Sequence, residues 1–266
     1  MAAVHRPGRE ATRPQLGDGL RHVARLTGLE LKLLLREPMV AVGLIGFPLV
    51  TVLVLGGVFG SVPDPDFGGV APADHYLAGY LGVVMAAMGL ITLPVHIATH
   101  RELGVLRRFR ASGVTSSSIV ISEIAVGAAL ATAASCVVLA TGTAVYGFRA
   151  PEDPLAVVGW YAAGMGCFIA VGCALGSVLA TSRAANAVGN LVFVPMFLLG
   201  GGGPPRAVMT GVMGPVSDAL PLSHVVGGLR QSWLGQTDDP HQLWWPLLVA
   251  GAALAASSWL NRRRVA

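Results

Sequence analysis

The segment RELGVLRRFRASGVTSSS, residues 101–118, begins with the ten-residue stretch that holds the most charged residues in the chain. Its first ten residues include four arginines and one acid: Arg101, Glu102, Arg107, Arg108 and Arg110. Guanidinium groups bind carboxylates through two parallel hydrogen bonds, so such a cluster can hold the acids of a protein partner. As a helix, the segment places Leu103, Leu106 and Phe109 along one side. The pattern predicts an amphipathic surface that docks in the groove of a soluble partner.

Catalytic and metal-binding motifs are the next possible chemistry. HRELG, residues 100–104, lacks the second histidine that HExxH uses to bind zinc on one helix face. Lys32 is the only lysine and follows a leucine, so the chain has no Walker A loop for nucleotide phosphates. Cys136, Cys167 and Cys173 fall in apolar runs without a zinc spacing. We therefore expect that this chain is not an enzyme and binds no cofactor or metal.

Three polar residues in apolar surroundings remain as candidates: His96, Glu123 and His224. His96 follows Pro94 by two residues, which is more typical of a hydrogen-bonded core group than of a ligand. Glu123 is the one acid inside a predicted span, and a structural and a functional role both stay open. Carriers driven by ion gradients usually hold several titratable groups at mid-membrane. Energy coupling through charges within this chain is therefore poorly supported.

The composition shows which elements position these residues. Of the 266 residues, 53% are hydrophobic and 12% are charged, and the mean hydropathy is +0.65. Soluble domains carry about 25% charged residues, so this composition indicates an integral membrane protein. Apolar runs of about 20 residues can cross a bilayer as helices. The sequence predicts an all-α polytopic fold with six such spans: 39–60, 76–98, 119–146, 155–181, 186–203 and 243–260.

Basic residues predict the orientation of these spans, because cytoplasmic segments retain positive charge. With the N-terminus inside, seven Lys or Arg fall in 1–38, four in 99–118, one at 183 and three in 262–264. The opposite side holds three: Arg149, Arg206 and Arg230. Both termini are thus predicted to be cytoplasmic. The same asymmetry explains the net charge of +4, so the charge does not indicate binding of nucleic acid. It is also an alternative explanation for the arginines of 101–118.

Tryptophans also fall near the predicted membrane boundaries. Trp160 opens the fourth span, Trp244 and Trp245 open the sixth, and Trp259 closes it. Indole rings favour the interface between membrane and water. We expect these four side chains at that interface.

Three segments outside the spans have their own patterns. Residues 1–19 mix proline, glycine and charge without periodicity, which predicts disorder. Residues 20–37 repeat apolar side chains at helical spacing, as in a helix lying along the cytoplasmic interface or packing on a partner. Residues 200–236 are too long and apolar for a solvated turn. They predict one or two short re-entrant helices broken by Pro215 and Pro221, with a surface loop over the bundle as the alternative.

Three stretches, taken in order, carry a family resemblance. LREPMVAVGLIGFPLVTVLVLGGVFG enters the first span, RELGVLRRFRASGV follows the second, and DALPLSHVVGGLR precedes the sixth. Together they resemble permeases of the ABC-2 type transporter family, especially its daunorubicin-resistance branch. The similarity runs from about residue 20 onward, so it covers nearly the whole chain.

The resemblance implies roles for particular segments of a 20–266 transmembrane domain. It implies a connecting helix over 20–37, whose junction with the first span is Arg36, Glu37 and Pro38. It implies a coupling loop over 99–118, with a coupling surface of Arg101, Glu102, Gly104, Leu106, Arg107, Arg108 and Arg110. It also implies an outer re-entrant segment over 204–236 that includes Pro221, His224 and Arg230.

The function of the family is the final implication. The chain would be the permease subunit of an ATP-binding-cassette exporter in a bacterial plasma membrane, paired with a second permease copy as a homodimer. ATP and Mg²⁺ would bind a separate cytoplasmic ATPase subunit. The substrate would be a lipophilic or amphipathic drug, antibiotic or lipid, so its efflux would give antibiotic resistance. A gradient-driven secondary carrier and a non-transporting membrane scaffold remain the alternatives.

Overall fold

The computed structural model describes Gly28 and residues 46–60, 62–65, 69–104, 116–236 and 240–265. Regular structure in these ranges is helical, apart from one antiparallel bridge between Asp64 and Val70. Several predictions lie outside the described residues. They are the predicted disorder of residues 1–19 and, apart from Gly28, the predicted 20–37 connecting helix. The predicted site residues outside the described ranges are Arg36, Glu37, Pro38, Leu106, Arg107, Arg108 and Arg110.

Nine α-helices make up most of the described chain. They are α1 (Phe47–Phe59), α2 (Pro72–Ala87), α3 (Leu93–Glu102), α4 (Ser116–Tyr146), α5 (Pro154–Val178), α6 (Ser182–Leu199), α7 (Met213–Ala219), α8 (Pro221–Leu234) and α9 (Trp244–Val265). A π-helical turn, Met88–Thr92, joins α2 and α3 into one continuous rod. Short 3-10 turns, Arg206–Val208 and Pro240–Leu243, precede α7 and α9.

Four helical stretches in the described residues are long and apolar enough to cross a membrane. They are Pro72–Glu102, Ile124–Tyr146, Pro154–Val178 and Ser182–Leu199. Phe47–Val58 is a shorter apolar helix. The prediction of an all-helical chain with several apolar helices is therefore confirmed.

The rod formed by α2 and α3 is the centre of the bundle. Its most apolar window is 67% buried within the chain, whereas the corresponding windows of the other three candidate spans are 22–39% buried. The rod contacts α1, α4, α5, α6 and α8. Its fully buried side chains include Leu77, Tyr80, Met85 and Leu90. A displacement of this rod would therefore act on most of the other helices.

The π-turn in the rod has a local cause in Pro94. Proline has no N–H to donate to the carbonyl four residues earlier, and its ring clashes with that carbonyl, here that of Leu90. A π-turn relieves such a clash by widening the helix. The shifted carbonyls then meet glycines: a Cβ on Gly172 would lie 2.4 Å from the Gly89 oxygen, and one on Gly189 would lie 2.2 Å from the Leu90 oxygen. Small residues thus let α5 and α6 approach the rod closely.

Two short helices fill the segment before α9. Pro221 occupies the first turn of α8, where a missing N–H leaves no helical bond unmade. The expected break at Pro215 is wrong, because Pro215 lies in the first turn of α7, where proline is equally tolerated. Helix α8 packs against α2 and α5 and is part of the bundle rather than a loop across its surface.

Trp160 is buried against a neighbouring helix, unlike the other three tryptophans predicted near the membrane boundaries. Its side chain is 3% exposed, and its ring lies directly under α8, since a Cβ on Gly228 would be 2.1 Å from Trp160 Cε2. Glycine at position 228 makes room for the indole. Trp244 and Trp259, by contrast, are 65% and 52% exposed.

Candidate functional site

The end of α3 determines where the predicted coupling surface begins. The Leu103 N–H donates to the Thr99 oxygen at 3.0 Å, and the Gly104 N–H donates to the Arg101 oxygen at 3.2 Å. Gly104 has φ of +64°, a left-handed conformation that ends helices. The predicted helix running on from Arg101 through Gly104 is therefore wrong. Arg101 and Glu102 belong to the last turn of the rod.

Arg101 holds the carboxyl end of α5. Its Nη1 donates to the main-chain oxygen of Ser177 at 3.1 Å, and its Nη2 donates to the main-chain oxygen of Leu179. Carbonyls at a helix C-terminus lack helical partners and carry partial negative charge. The guanidinium of Arg101 therefore donates hydrogen bonds to these carbonyls and offsets the partial negative charge of this helix end.

Glu102 holds the start of α6. Its carboxylate accepts hydrogen bonds from the hydroxyl and the main-chain N–H of Ser182. Thr181 caps the same helix, accepting from the Ala184 N–H at 3.1 Å. A negative charge is favourable at a helix N-terminus, where main-chain N–H groups are unpaired. Adjacent opposite charges thus hold both ends of the α5–α6 connection, and we call Arg101, Glu102 and residues 177–183 the Arg101 corner.

A groove borders the Arg101 corner between α3 and α6. It encloses about 460 Å³ and is lined by Val95, Thr99, Ser182, Arg183, Asn186 and Ala187. Arg183 is exposed there, so the groove adds a further positive charge to this face of the bundle.

A second cavity lies at the opposite end of the rod. From His75 to Arg101 the rod extends about 40 Å at 1.5 Å per residue. The cavity encloses about 360 Å³ between the start of α2, the end of α6, α7 and α8. We call it the Arg230 cavity; its polar lining includes His75, Ser217, Asp218, His224, Arg230 and Gln231.

The structure brings two of the three predicted outer residues to this cavity. His224 and Arg230 both line it, whereas Pro221 is buried at the beginning of α8. His224 Nε2 forms a hydrogen bond with the main-chain oxygen of Asp218 at 2.7 Å. The lining residues His75 and Gln231 were not predicted, because isolated polar residues have no periodic or motif signal.

An ion pair lies in the lining of the cavity. Arg206 donates from Nε to Asp218 Oδ1 at 2.9 Å and from Nη2 to Asp218 Oδ2 at 2.8 Å. These hydrogen bonds hold the pKa of the Asp218 carboxyl below its ordinary value. Both side chains are largely exposed, so the pair fixes loop geometry more than it stabilises the fold.

The remaining sequence candidates contribute less. His96 is half-buried and lines a space of only about 10 Å³ with Met88 and Leu130. That volume is about the size of one water molecule, so it leaves no room for a substrate. The Glu123 side chain lies outside the described residues.

Comparison with known families decides the class of the protein. A family model described as ABC-2 type transporter matches residues 22–234, a range that includes both the Arg101 corner and Arg230. The chain belongs to the ABC-2 type transporter family. A search of curated proteins found no significant match. As an ABC-2 membrane domain, the chain is a membrane-embedded permease component and not an ATPase. Members of this family typically work with an ATP-binding-cassette partner.

The family membership gives the Arg101 corner a context. In this ABC-2 permease Arg101 and Glu102 of the corner come shortly before residues 105–115. That segment contains the remaining basic residues of the predicted coupling surface. The contacts of Arg101 with the α5–α6 connection were missed from sequence, since Ser177, Leu179 and Ser182 resemble any residues of a short turn. Only the fold shows that these segments meet.

Proposed function

We propose that this ABC-2 permease is the transmembrane subunit of an ATP-driven exporter in a bacterial plasma membrane. Two copies form a homodimer, each with six spans, re-entrant helices α7 and α8 on the outer side, and both termini in the cytoplasm. The separate ATPase subunit binds ATP and Mg²⁺, and this chain binds neither.

The Arg101 corner is the observation that supports coupling. An ATPase that docks on residues 101–110, with Arg107 and Arg108 gripping its acids, would act directly on the last turn of the central rod. Arg101 and Glu102 tie that turn to α5 and α6. A push at this surface would therefore move three membrane helices together, which is how rigid-body tilting exposes a pathway alternately to the two sides.

The apolar composition of these helices supports the proposed substrate class. The candidate spans contain no Asp, Glu, Lys or Arg in residues 75–100, 124–146, 154–178 and 184–199. A charged trap for a small ion would need such residues. A lipophilic or amphipathic molecule suits this lining, in keeping with the drugs and antibiotics handled by the daunorubicin-resistance branch.

Inside-out membrane vesicles that contain the permease and its ATPase test this function. Uptake of a panel of fluorescent amphiphiles is measured with ATP, with ATP and vanadate, and with a protonophore. Export predicts uptake that needs ATP, stops with vanadate and survives the protonophore. Uptake that the protonophore abolishes and ATP does not support would identify a gradient-driven carrier. A scaffold predicts no difference between these vesicles and vesicles without the permease.

A further inference from the structure

The guanidinium of Arg230 has an unused hydrogen-bonding edge. The side chain extends from α8 and lines the Arg230 cavity. Its Nε and Nη2 are closed to solvent, and no acceptor among the described residues reaches either nitrogen. A cation removed from water without a partner is strongly unfavourable. The arrangement therefore calls for an acceptor that the described part of the chain does not supply.

Arg206, in the lining of the same cavity, shows the kind of acceptor that fits. Its Nε and Nη2 donate to the two oxygens of Asp218. These are the same two nitrogens that lack acceptors in Arg230. This edge of a guanidinium matches two oxygens of one carboxylate or phosphate. Asp218 is the only acid among the described residues that line the cavity, and Arg206 already holds it.

The neighbours of Arg230 also favour an anion. His75 lines the cavity together with Arg230 and adds no negative charge. The Gln231 Oε1 is buried without a hydrogen-bond donor and lines the same cavity, so it can accept from a hydroxyl. The volume of about 360 Å³ leaves room for an anionic group with several attached atoms.

We propose that the Arg230 cavity binds the carboxylate or phosphate group of an amphipathic molecule, with the Arg230 guanidinium turning so that its Nε and Nη2 meet two anionic oxygens. A hydroxyl of the same molecule donates to Gln231. The polar end of an exported substrate and the headgroup of a membrane lipid present this same chemistry. If the bound molecule is the exported substrate, the inference rests on the proposed function. The existence of the anion-binding site itself does not depend on that function.

Direct binding to the full chain tests this site. The chain is placed in nanodiscs of zwitterionic phosphatidylcholine and titrated calorimetrically with octyl phosphate, inorganic phosphate or octyltrimethylammonium, with empty discs subtracted. Arg230→Gln removes the charge, and Arg230→Lys keeps the charge without the two-pronged edge. Arg149→Gln is the matched control, since Arg149 lines a separate cavity on the same predicted side.

We expect the wild type to bind octyl phosphate and not octyltrimethylammonium. Arg230→Gln should weaken octyl phosphate binding by about tenfold or more, as expected for a lost charge-assisted pair, with Arg230→Lys intermediate. The affinity of Arg149→Gln for octyl phosphate should stay within about twofold of the wild type, since its charge is outside the cavity.

In discs doped with phosphatidic acid, native mass spectrometry distinguishes a membrane lipid from a free amphiphile as the bound molecule. A retained phosphatidic acid that Arg230→Gln loses identifies a lipid headgroup, and octyl phosphate binding without retained lipid identifies a free amphiphile.

Several outcomes would overturn the site. Equal octyl phosphate binding by the wild type and Arg230→Gln would do so, as would an equal loss in Arg149→Gln. If Arg230→Gln fails to fold, two other results would still rule out the site. One is that the wild type does not bind octyl phosphate, and the other is that Arg230→Lys binds octyl phosphate as tightly as the wild type. The measurement needs no ATPase and no transport, so a failure of the export proposal would leave its result unaffected.

Discussion

Arg101 Nη1 donates to the main-chain oxygen of Ser177 at 3.1 Å, across 76 positions of sequence. This contact joins the last turn of the central rod to the end of α5. Glu102, the next residue, holds the start of α6 through Ser182. In the proposed exporter the two side chains connect the start of the coupling segment to α5 and α6.

Replacing Arg101 tests that connection. Arg101→Gln removes the charged donor from two C-terminal carbonyls, and hydrogen bonds to charged groups contribute about 1.5–3 kcal/mol. We expect a lower melting temperature in detergent and less transport per ATP hydrolysed, with ATPase binding retained. The control is Arg149→Gln, an exposed arginine that lies outside the Arg101 corner. A variant with normal stability and normal coupling would show that the Arg101 corner transmits nothing.

The close approach of α5 to the π-turn gives a second prediction. A Cβ on Gly172 would lie 2.4 Å from the Gly89 oxygen, while one on Gly166, also in α5, would meet nothing within 4 Å. Gly172→Ala should therefore destabilise the chain by about 1–3 kcal/mol through overpacking. Gly166→Ala should be neutral or slightly stabilising, because alanine favours helix. Thermal unfolding of both variants measures this, and equal melting temperatures would refute the close contact.

Two tyrosines with different hydroxyl environments give a third prediction. The Tyr80 hydroxyl is buried without a hydrogen-bond partner in the described residues, whereas Tyr161 Oη lies 3.0 Å from Ser135 Oγ. Removing an unsatisfied hydroxyl removes a desolvation penalty, so Tyr80→Phe should leave stability unchanged or raised. Tyr161→Phe should cost about 1 kcal/mol, because it leaves the Ser135 hydroxyl buried. A lower melting temperature for Tyr80→Phe than for Tyr161→Phe would contradict these two hydroxyl environments.

The Arg206–Asp218 pair gives a pH-dependent prediction. Arg206 hydrogen bonds lower the pKa of the Asp218 carboxyl from its ordinary 3.8. A carboxyl with a lowered pKa stabilises the fold above its unfolded pKa and loses that contribution as pH falls through its folded pKa. The small melting-temperature difference between wild type and Asp218→Asn should thus hold from about pH 7 to about pH 5 and shrink only below 3.8. A difference that vanishes near pH 6 would point to a histidine instead.

The sequence predicted the helices well because their lengths follow from apolar runs between strong helix signals. The predicted spans 119–146 and 155–181 correspond to Ser116–Tyr146 and Pro154–Val178. Pro154 and Pro221 each open a helix, as proline in a first turn does. These signals are local, so no knowledge of tertiary packing was needed.

Features that depend on tertiary contacts were beyond the sequence. An indole at a predicted membrane boundary is usually interfacial, yet Trp160 is buried because Gly228 leaves a gap in α8. Gly104 could have continued the predicted coupling helix or ended it, and only its left-handed φ decides. Arg230 was among the predicted site residues, but its unsatisfied edge follows from the burial of Nε and Nη2, which no pattern reveals.

Co-purification of the ATPase tests the exporter account most directly. The tagged chain is isolated in mild detergent from its native host, and mass spectrometry identifies any soluble subunit with a Walker A motif. The wild type is compared with Arg107→Glu, Arg108→Glu and with a charge-matched control, Arg263→Glu, Arg264→Glu. We predict that the ATPase accompanies the wild type and the control and is lost from the Arg107, Arg108 double variant. Absence of an ATPase from the wild type, or its equal retention in all three, would contradict the account.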